Sequence, residues 1–147
     1  MKRNDKIIAV AQGAMIAAIY AAATYASSAL GIAYGQVQFR FSEALTALAV
    51  LTPAAVPGLT VGCILGSPMG VWDIIFGSLA TLLASLSARA LRRVRFKGIP
   101  LLSIIMPVIF NALIVGAEIA LLTPTDGAKI TLFAISALEV GAGELAV

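Results

Sequence analysis

The sequence contains no histidine and only one cysteine, Cys63. Without histidine, the chain lacks the side chain that most often binds metal ions and most readily acts as a general base near neutral pH. A single cysteine excludes both a disulfide within the chain and a metal cluster built from several cysteines. These absences weigh against an enzyme and predict no metal or cofactor, although chemistry carried by carboxylates stays open.

Charged residues are also scarce, at 12% of the 147 residues, whereas 61% are hydrophobic. A soluble domain carries about 25% charged and about 45–50% apolar residues. Only helices or closed barrels satisfy every backbone polar group in lipid, and the apolar runs here are continuous rather than alternating, which favours helices. We therefore expect an all-α integral membrane protein that forms one domain over residues 1–147.

Turn residues and charges divide the chain into six apolar segments. The first is long enough to cross a hydrocarbon core of about 30 Å and is longer than the core of a signal peptide, so no cleaved signal is expected. The second and third segments are short, and they form either two spans or one re-entrant pair. The predicted segments cover residues 7–26, 42–52, 55–66, 72–90, 100–122 and 128–147.

Positive charges concentrate on one predicted side of the membrane. Lys2, Arg3 and Lys6 precede the first segment, residues 89–97 carry four arginines and a lysine, and the other side has only Arg40 and Lys129. Because cytoplasmic loops carry an excess of lysine and arginine, the N-terminus is predicted to be cytoplasmic. The cluster at residues 89–97 is interpreted as a topology anchor, with nucleic-acid or lipid binding as the less favoured alternative.

Five acidic residues lie within or beside the apolar segments. A carboxylate at the bilayer centre costs about 2.5–3.5 kcal/mol, so such residues are expected to face the bundle interior and mark a solute or ion path. Two structural alternatives stay open, since Asp73 could cap its helix and Glu43 could pair with Arg40. The five residues are Glu43, Asp73, Glu118, Glu139 and Glu144.

Three other polar or aromatic residues accompany these acids. Asn111 lies in the middle of the fifth segment, where its amide can both donate and accept, and Arg40 stands just before the second segment. Trp72, the only tryptophan, either stacks on a flat ring or anchors the chain at the headgroups, and the anchor is favoured. Together with the acids, these residues suit recognition of a small solute rather than bond cleavage.

Alanines repeat every four residues along the first segment, at Ala14, Ala18 and Ala22. Small residues at this spacing allow another helix to approach closely. The partner helix could belong to this chain or to another protein, and the sequence favours neither alternative.

The run Gln38-Phe39-Arg40-Phe41-Ser42-Glu43-Ala44-Leu45 resembles the signature of the QueT family. Similarity continues in order through residues 52–59, 62–63, 73–82, 107–112 and 141–144. Members of that family are substrate-binding S components of energy-coupling-factor (ECF) transporters, which import queuosine precursors. The resemblance extends over nearly the whole chain, although relatives run on past residue 144, so we expect a last helix without its cytoplasmic end.

This resemblance implies a fold, a solute and partners. The fold would be a six-helix transmembrane bundle of the ECF S-component type, and the solute a 7-deazaguanine such as 7-aminomethyl-7-deazaguanine. Ala14, Ala18 and Ala22 would dock on a transmembrane coupling protein that works with two cytoplasmic ATPases, because this chain has no phosphate-binding loop of its own. Two alternatives stay open. The solute could be another vitamin-like base, or the chain could be a membrane scaffold protein that binds no solute. The candidate solute-binding residues are Gln38, Arg40, Glu43, Trp72, Asp73, Asn111, Glu118, Glu139 and Glu144.

Overall fold

The computed structural model describes residues 3–33, 39–67, 70–124 and 128–146, and these residues form helices joined by turns. The all-α class expected from the sequence is confirmed for this part of the chain. A 3₁₀ helix, Phe41–Ala47, runs directly into α2. The α-helices are α1 (Arg3–Ala29), α2 (Leu48–Leu51), α3 (Ala55–Gly66), α4 (Val71–Leu91), α5 (Leu101–Leu122) and α6 (Lys129–Ala146).

Three of the described helices are long and apolar enough to cross a bilayer: residues 4–29 of α1, α4 and α5. The 21 residues of α4 and the 22 of α5 extend about 31–33 Å, which matches a hydrocarbon core of about 30 Å. The runs Phe41–Leu51 and Ala55–Gly66 are apolar but shorter. The six predicted segments thus appear as helices, whereas a bundle of six full spans stays a prediction.

Glycines on one face of α3 bring its backbone against α1. Gly58, Gly62 and Gly66 are spaced four residues apart. A Cβ atom added to Gly58 would lie 2.7 Å from the carbonyl oxygen of Gly13, and one added to Gly62 would lie 2.7 Å from Cβ of Tyr20. Contact this close is the small-residue packing that membrane helices use, and here it holds α1 and α3 side by side and parallel.

Neighbouring helices along the chain pack against each other in the order α3, α4, α5 and α6, and the 3₁₀ helix contacts α1, α4 and α5. The chain reverses direction between α2 and α3, and Arg89 near the end of α4 donates from Nη1 to the carbonyl oxygen of Ala49 at 3.3 Å. The start of α1, the α2–α3 turn and the α4–α5 turn therefore lie toward one end of the bundle, called here the basic end. The start of the 3₁₀ helix and the start of α4 lie toward the opposite end.

Candidate functional site

Glu43 lies at the centre of a polar network inside the bundle. It belongs to the first turn of the 3₁₀ helix, and it is 5% exposed. The hydroxyl of Tyr20 on α1 donates to Oε1 of Glu43, and Nδ2 of Asn111 on α5 donates to Oε2 at 3.2 Å. The 3₁₀ helix contacts both α1 and α5, so the two donors reach the carboxylate from different sides.

Asn111 connects Glu43 to a second carboxylate. Its Nδ2 also donates to Oε1 of Glu144 on α6, at 2.8 Å. One amide group therefore lies between two acids, which we call the carboxylate pair, Glu43 and Glu144. Two carboxylates in a medium of low dielectric repel each other, and a cation or a group with several N–H donors between them removes that cost.

A buried ion pair lies nearer the opposite end. Nη2 of Arg40 is 3.1 Å from Oδ1 of Asp73, and both side chains are about nine-tenths buried. Asp73 therefore pairs with Arg40 and does not cap α4, whose N-cap residue is Gly70. Glu43 accepts hydrogen bonds from Tyr20 and Asn111, and Arg40 acts on it as a nearby positive charge.

Glu118 extends the acidic cluster along α5. It is 7% exposed, and it lies two helical turns beyond Asn111, with Asp73 and Arg40 as the charged groups that act on it. Among the described residues, Oε2 of Glu118 and Oδ2 of Asp73 have no hydrogen-bond partner. Buried polar atoms nearly always have a hydrogen-bond partner, so an unpaired one needs an explanation. A ligand that donates hydrogen bonds to these two oxygens would supply it.

Two small cavities meet at the carboxylate pair. The first has a volume of about 10 Å³, room for roughly one water molecule, and is lined by Arg40, Gly77 and Val115 together with the pair and Asn111. The second has a volume of about 160 Å³ and extends toward the basic end past Thr46, Ile104 and Pro107. Glu43 and Glu144 line both cavities.

Two further predicted residues, Trp72 and Glu139, lie outside this network in the described structure. Trp72 is 56% exposed at the start of α4, with its ring centroid 6.2 Å from that of Phe76, a position that suits a headgroup anchor. Glu139 is partly buried on α6 and lines neither cavity in the described structure. Gln38 lies outside the described residues.

The alanine repeat of α1 faces away from the bundle. Ala14, Ala18 and Ala22 are exposed, whereas Ala17 and Tyr20 on the other side of the same helix are buried against α3. A wide apolar groove of about 490 Å³ follows the seam between α1 and α3 next to Ala14. Packing inside the bundle therefore uses a different face of α1 from the one that carries the repeat.

Tyr20 is the member of the network that the sequence analysis missed. Its side chain is 1% exposed and packs in the apolar core formed with Leu59 and Cys63. A signal was present in the sequence, because Tyr20 and Thr24 are polar and four residues apart on the face of α1 opposite the alanine repeat. Its pairing with Glu43 depends on tertiary packing over 23 residues, which no local pattern reports.

The family model described as QueT transporter matches residues 10–147. A curated relative, the queuosine precursor transporter QueT of Lactococcus lactis subsp. cremoris (strain MG1363), is 33% identical over 82 residues. That alignment covers 54% of this chain and 48% of the relative, so the chain matches about half of the relative's length. No solved structure matches the chain.

Proposed function

Since the chain belongs to the QueT transporter family, we propose that it is the solute-capturing S component of an ECF-type importer for a queuosine precursor. Membership in a transporter family together with three long apolar helices fits a multi-pass membrane protein. In this role the chain binds a solute and catalyses no reaction.

The observation that carries the proposal is the hydrogen-bonded set Glu43, Asn111 and Glu144 in the bundle interior. A 7-deazaguanine offers adjacent N–H donors on its guanine edge, and the 7-aminomethyl form also carries a cationic ammonium group. One carboxylate of the pair accepts the guanine N–H groups, and the other binds the ammonium by a charge-assisted hydrogen bond. The amide of Asn111, which joins the two acids in the described structure, then donates to a ring nitrogen or carbonyl oxygen of the solute.

The charge balance of the interior supports a solute of this kind. Among the described residues, Glu43, Asp73, Glu118 and Glu144 line or adjoin the network, and Arg40 is the cation among them. Unpaired charge is expensive in the membrane interior, so such a site favours a ligand that brings positive charge or several donors. We propose Arg40, Asp73 and Glu118 as secondary contacts nearer the opposite end.

Binding requires the two cavities to merge. Ligand pockets usually enclose about 300–1,000 Å³, whereas the cavities on either side of the carboxylate pair measure about 10 and 160 Å³. In the proposed mechanism the solute inserts between Glu43 and Glu144 and replaces the bonds of Asn111 with its own.

Replacing Glu144 by glutamine tests this assignment. Glu144→Gln keeps the shape of the side chain but removes its charge, so the affinity for 7-aminomethyl-7-deazaguanine should fall at least about tenfold, as expected for a hydrogen bond to a charged group worth about 1.5 kcal/mol. Isothermal titration calorimetry of the detergent-purified protein with this solute measures the change in affinity. Glu139→Gln on the same helix is the matched control and should stay within about twofold of the parent chain. Loss of affinity in the control with none in Glu144→Gln would move the site to Glu139.

The partners of the proposed importer would be a transmembrane coupling protein and two cytoplasmic ATPases. The exposed face of α1 with Ala14, Ala18 and Ala22, beside the groove along α3, is the proposed docking surface. Small residues there would let a partner helix approach closely. The start of α1 and the α4–α5 turn share the basic end, so the excess of positive charge favours a cytoplasmic N-terminus.

A further inference from the structure

The α4–α5 turn has a defined conformation. Phe96 and Ile99 exchange two backbone hydrogen bonds, at 2.9 Å and 3.1 Å. The two residues between them, Lys97 and Gly98, both have positive φ, at 51° and 86°. Positive φ at both central positions is typical of a tight type I′ hairpin turn. The nine residues between Leu91 and Leu101 therefore fold back sharply instead of forming a long loop.

Apolar and basic side chains alternate along this turn. Val94 is 53% exposed and Phe96 is 66% exposed, and arginines occupy positions 93 and 95 beside them. Arg92, Arg93 and Arg95 form the rim of a groove of about 430 Å³, whose other wall is Val50 and the exposed Leu51 of α2. The groove thus joins three positive charges to an apolar wall.

Nothing in the described residues neutralises these arginines. The ion pair in the described part of the chain joins Arg40 to Asp73. Asp73 is in the first turn of α4, at the opposite end of that helix from the turn. Arg89, one helical turn earlier, is already engaged with the carbonyl oxygen of Ala49. A concave surface whose three guanidinium groups have no acidic partner among the described residues fits an anion, because guanidinium binds phosphate oxygens in a bidentate manner.

The position of the groove selects the kind of anion. Both helices that flank the turn are long enough to cross the hydrocarbon core, so the turn lies where lipid headgroups lie. Exposed Phe96 and Leu51 suit the boundary between headgroups and acyl chains. We propose that the groove between α2 and the α4–α5 turn binds an anionic phospholipid, with Arg92, Arg93 and Arg95 on its phosphate.

The test compares lipid binding by the whole chain and by two variants matched in charge. Native mass spectrometry of detergent-purified protein measures affinities for phosphatidylglycerol and for phosphatidylcholine with the same acyl chains. The parent chain should bind phosphatidylglycerol at least about tenfold more tightly, because each arginine near the headgroups contributes about fivefold. The variant R92Q/R93Q/R95Q should lose this preference, whereas K2Q/R3Q/K6Q, which removes three positive charges from the start of the chain, should keep it.

Three results would overturn the proposal. Equal binding of the two lipids by the parent chain would leave the arginines as a topology anchor alone. An equal loss in the control variant would mean that overall charge, not the groove, attracts the lipid. Binding of glycerol 1-phosphate as tight as that of phosphatidylglycerol would assign the groove to a free anion. If the triple variant does not purify, R93Q and R95Q singly, each expected to cost about fivefold, give the same test.

Discussion

Glu43 shows how a single buried acid can be kept in a membrane protein. Its two oxygens accept hydrogen bonds from Tyr20 and Asn111, which come from two different helices. The cost of burying a polar group in apolar surroundings makes such residues visible in a sequence, which is why Glu43, Asp73 and Glu118 could be selected before the fold was known. Their partners could not, because Tyr20 reaches Glu43 and Arg40 reaches Asp73 only through helix packing.

Removing the hydroxyl of Tyr20 should destabilise the fold. Tyr20→Phe leaves the ring in the core but takes a donor from a buried carboxylate, so the free energy of unfolding should fall by about 1.5–3 kcal/mol. Tyr25→Phe is the matched control, since the Tyr25 hydroxyl donates to the carbonyl oxygen of Leu65 at an exposed position, and it should cost less than about 1 kcal/mol. Thermal unfolding followed by circular dichroism in detergent measures both. Equal losses would argue against a special role for the Tyr20–Glu43 bond.

At the level of helices, α1 uses two faces for two kinds of contact. One face packs closely on the glycines of α3, and the other presents exposed alanines. The sequence predicted the third segment at residues 55–66, and α3 spans Ala55–Gly66. It did not predict that residues 41–47 form a 3₁₀ helix, since over so short a run the apolar pattern is compatible with either helix type.

Adding a methyl group at Gly62 should weaken the packing of α1 against α3. A Cβ atom there would lie 2.7 Å from Cβ of Tyr20 and 2.9 Å from the carbonyl oxygen of Ala17, so the backbones must separate. We expect Gly62→Ala to lower the free energy of unfolding by about 1–3 kcal/mol. Gly141→Ala on α6 is the control, because its Cβ would meet Ala112 at an ordinary 3.5 Å, and its stability should be unchanged or higher. A Gly62→Ala chain as stable as the control would mean that the seam tolerates expansion.

Bulk on the exposed face of α1 should block docking without affecting the solute site. Ala18→Leu places a large side chain where a partner helix is proposed to approach, so co-purification with the coupling protein should be lost while solute affinity is kept. Ala142→Leu, at an exposed position on α6, is the matched control and should co-purify normally. Retained co-purification of Ala18→Leu would remove the alanine repeat from the docking surface.

For the whole molecule, the described structure places the three features on which the proposals rest in different parts of the bundle. The interior holds the carboxylate pair, the outer face of α1 offers small residues, and the basic end carries the arginine-rimmed groove. Composition indicated a membrane protein, and the continuous rather than alternating apolar runs indicated helices, because only helices or closed barrels satisfy every backbone polar group in lipid. The number of full spans could not be deduced in the same way, since the short α2–α3 pair is compatible with either spanning or re-entering.

The most direct test of the central proposal is a titration of the detergent-purified chain with 7-aminomethyl-7-deazaguanine, with guanine, thiamine and riboflavin as controls. We predict saturable binding of the deazaguanine, and at least about tenfold weaker binding of guanine, which lacks the ammonium group that the second carboxylate would hold. Thiamine and riboflavin should not bind. A folded chain that binds none of the four, or that prefers thiamine or riboflavin, would contradict the proposed solute.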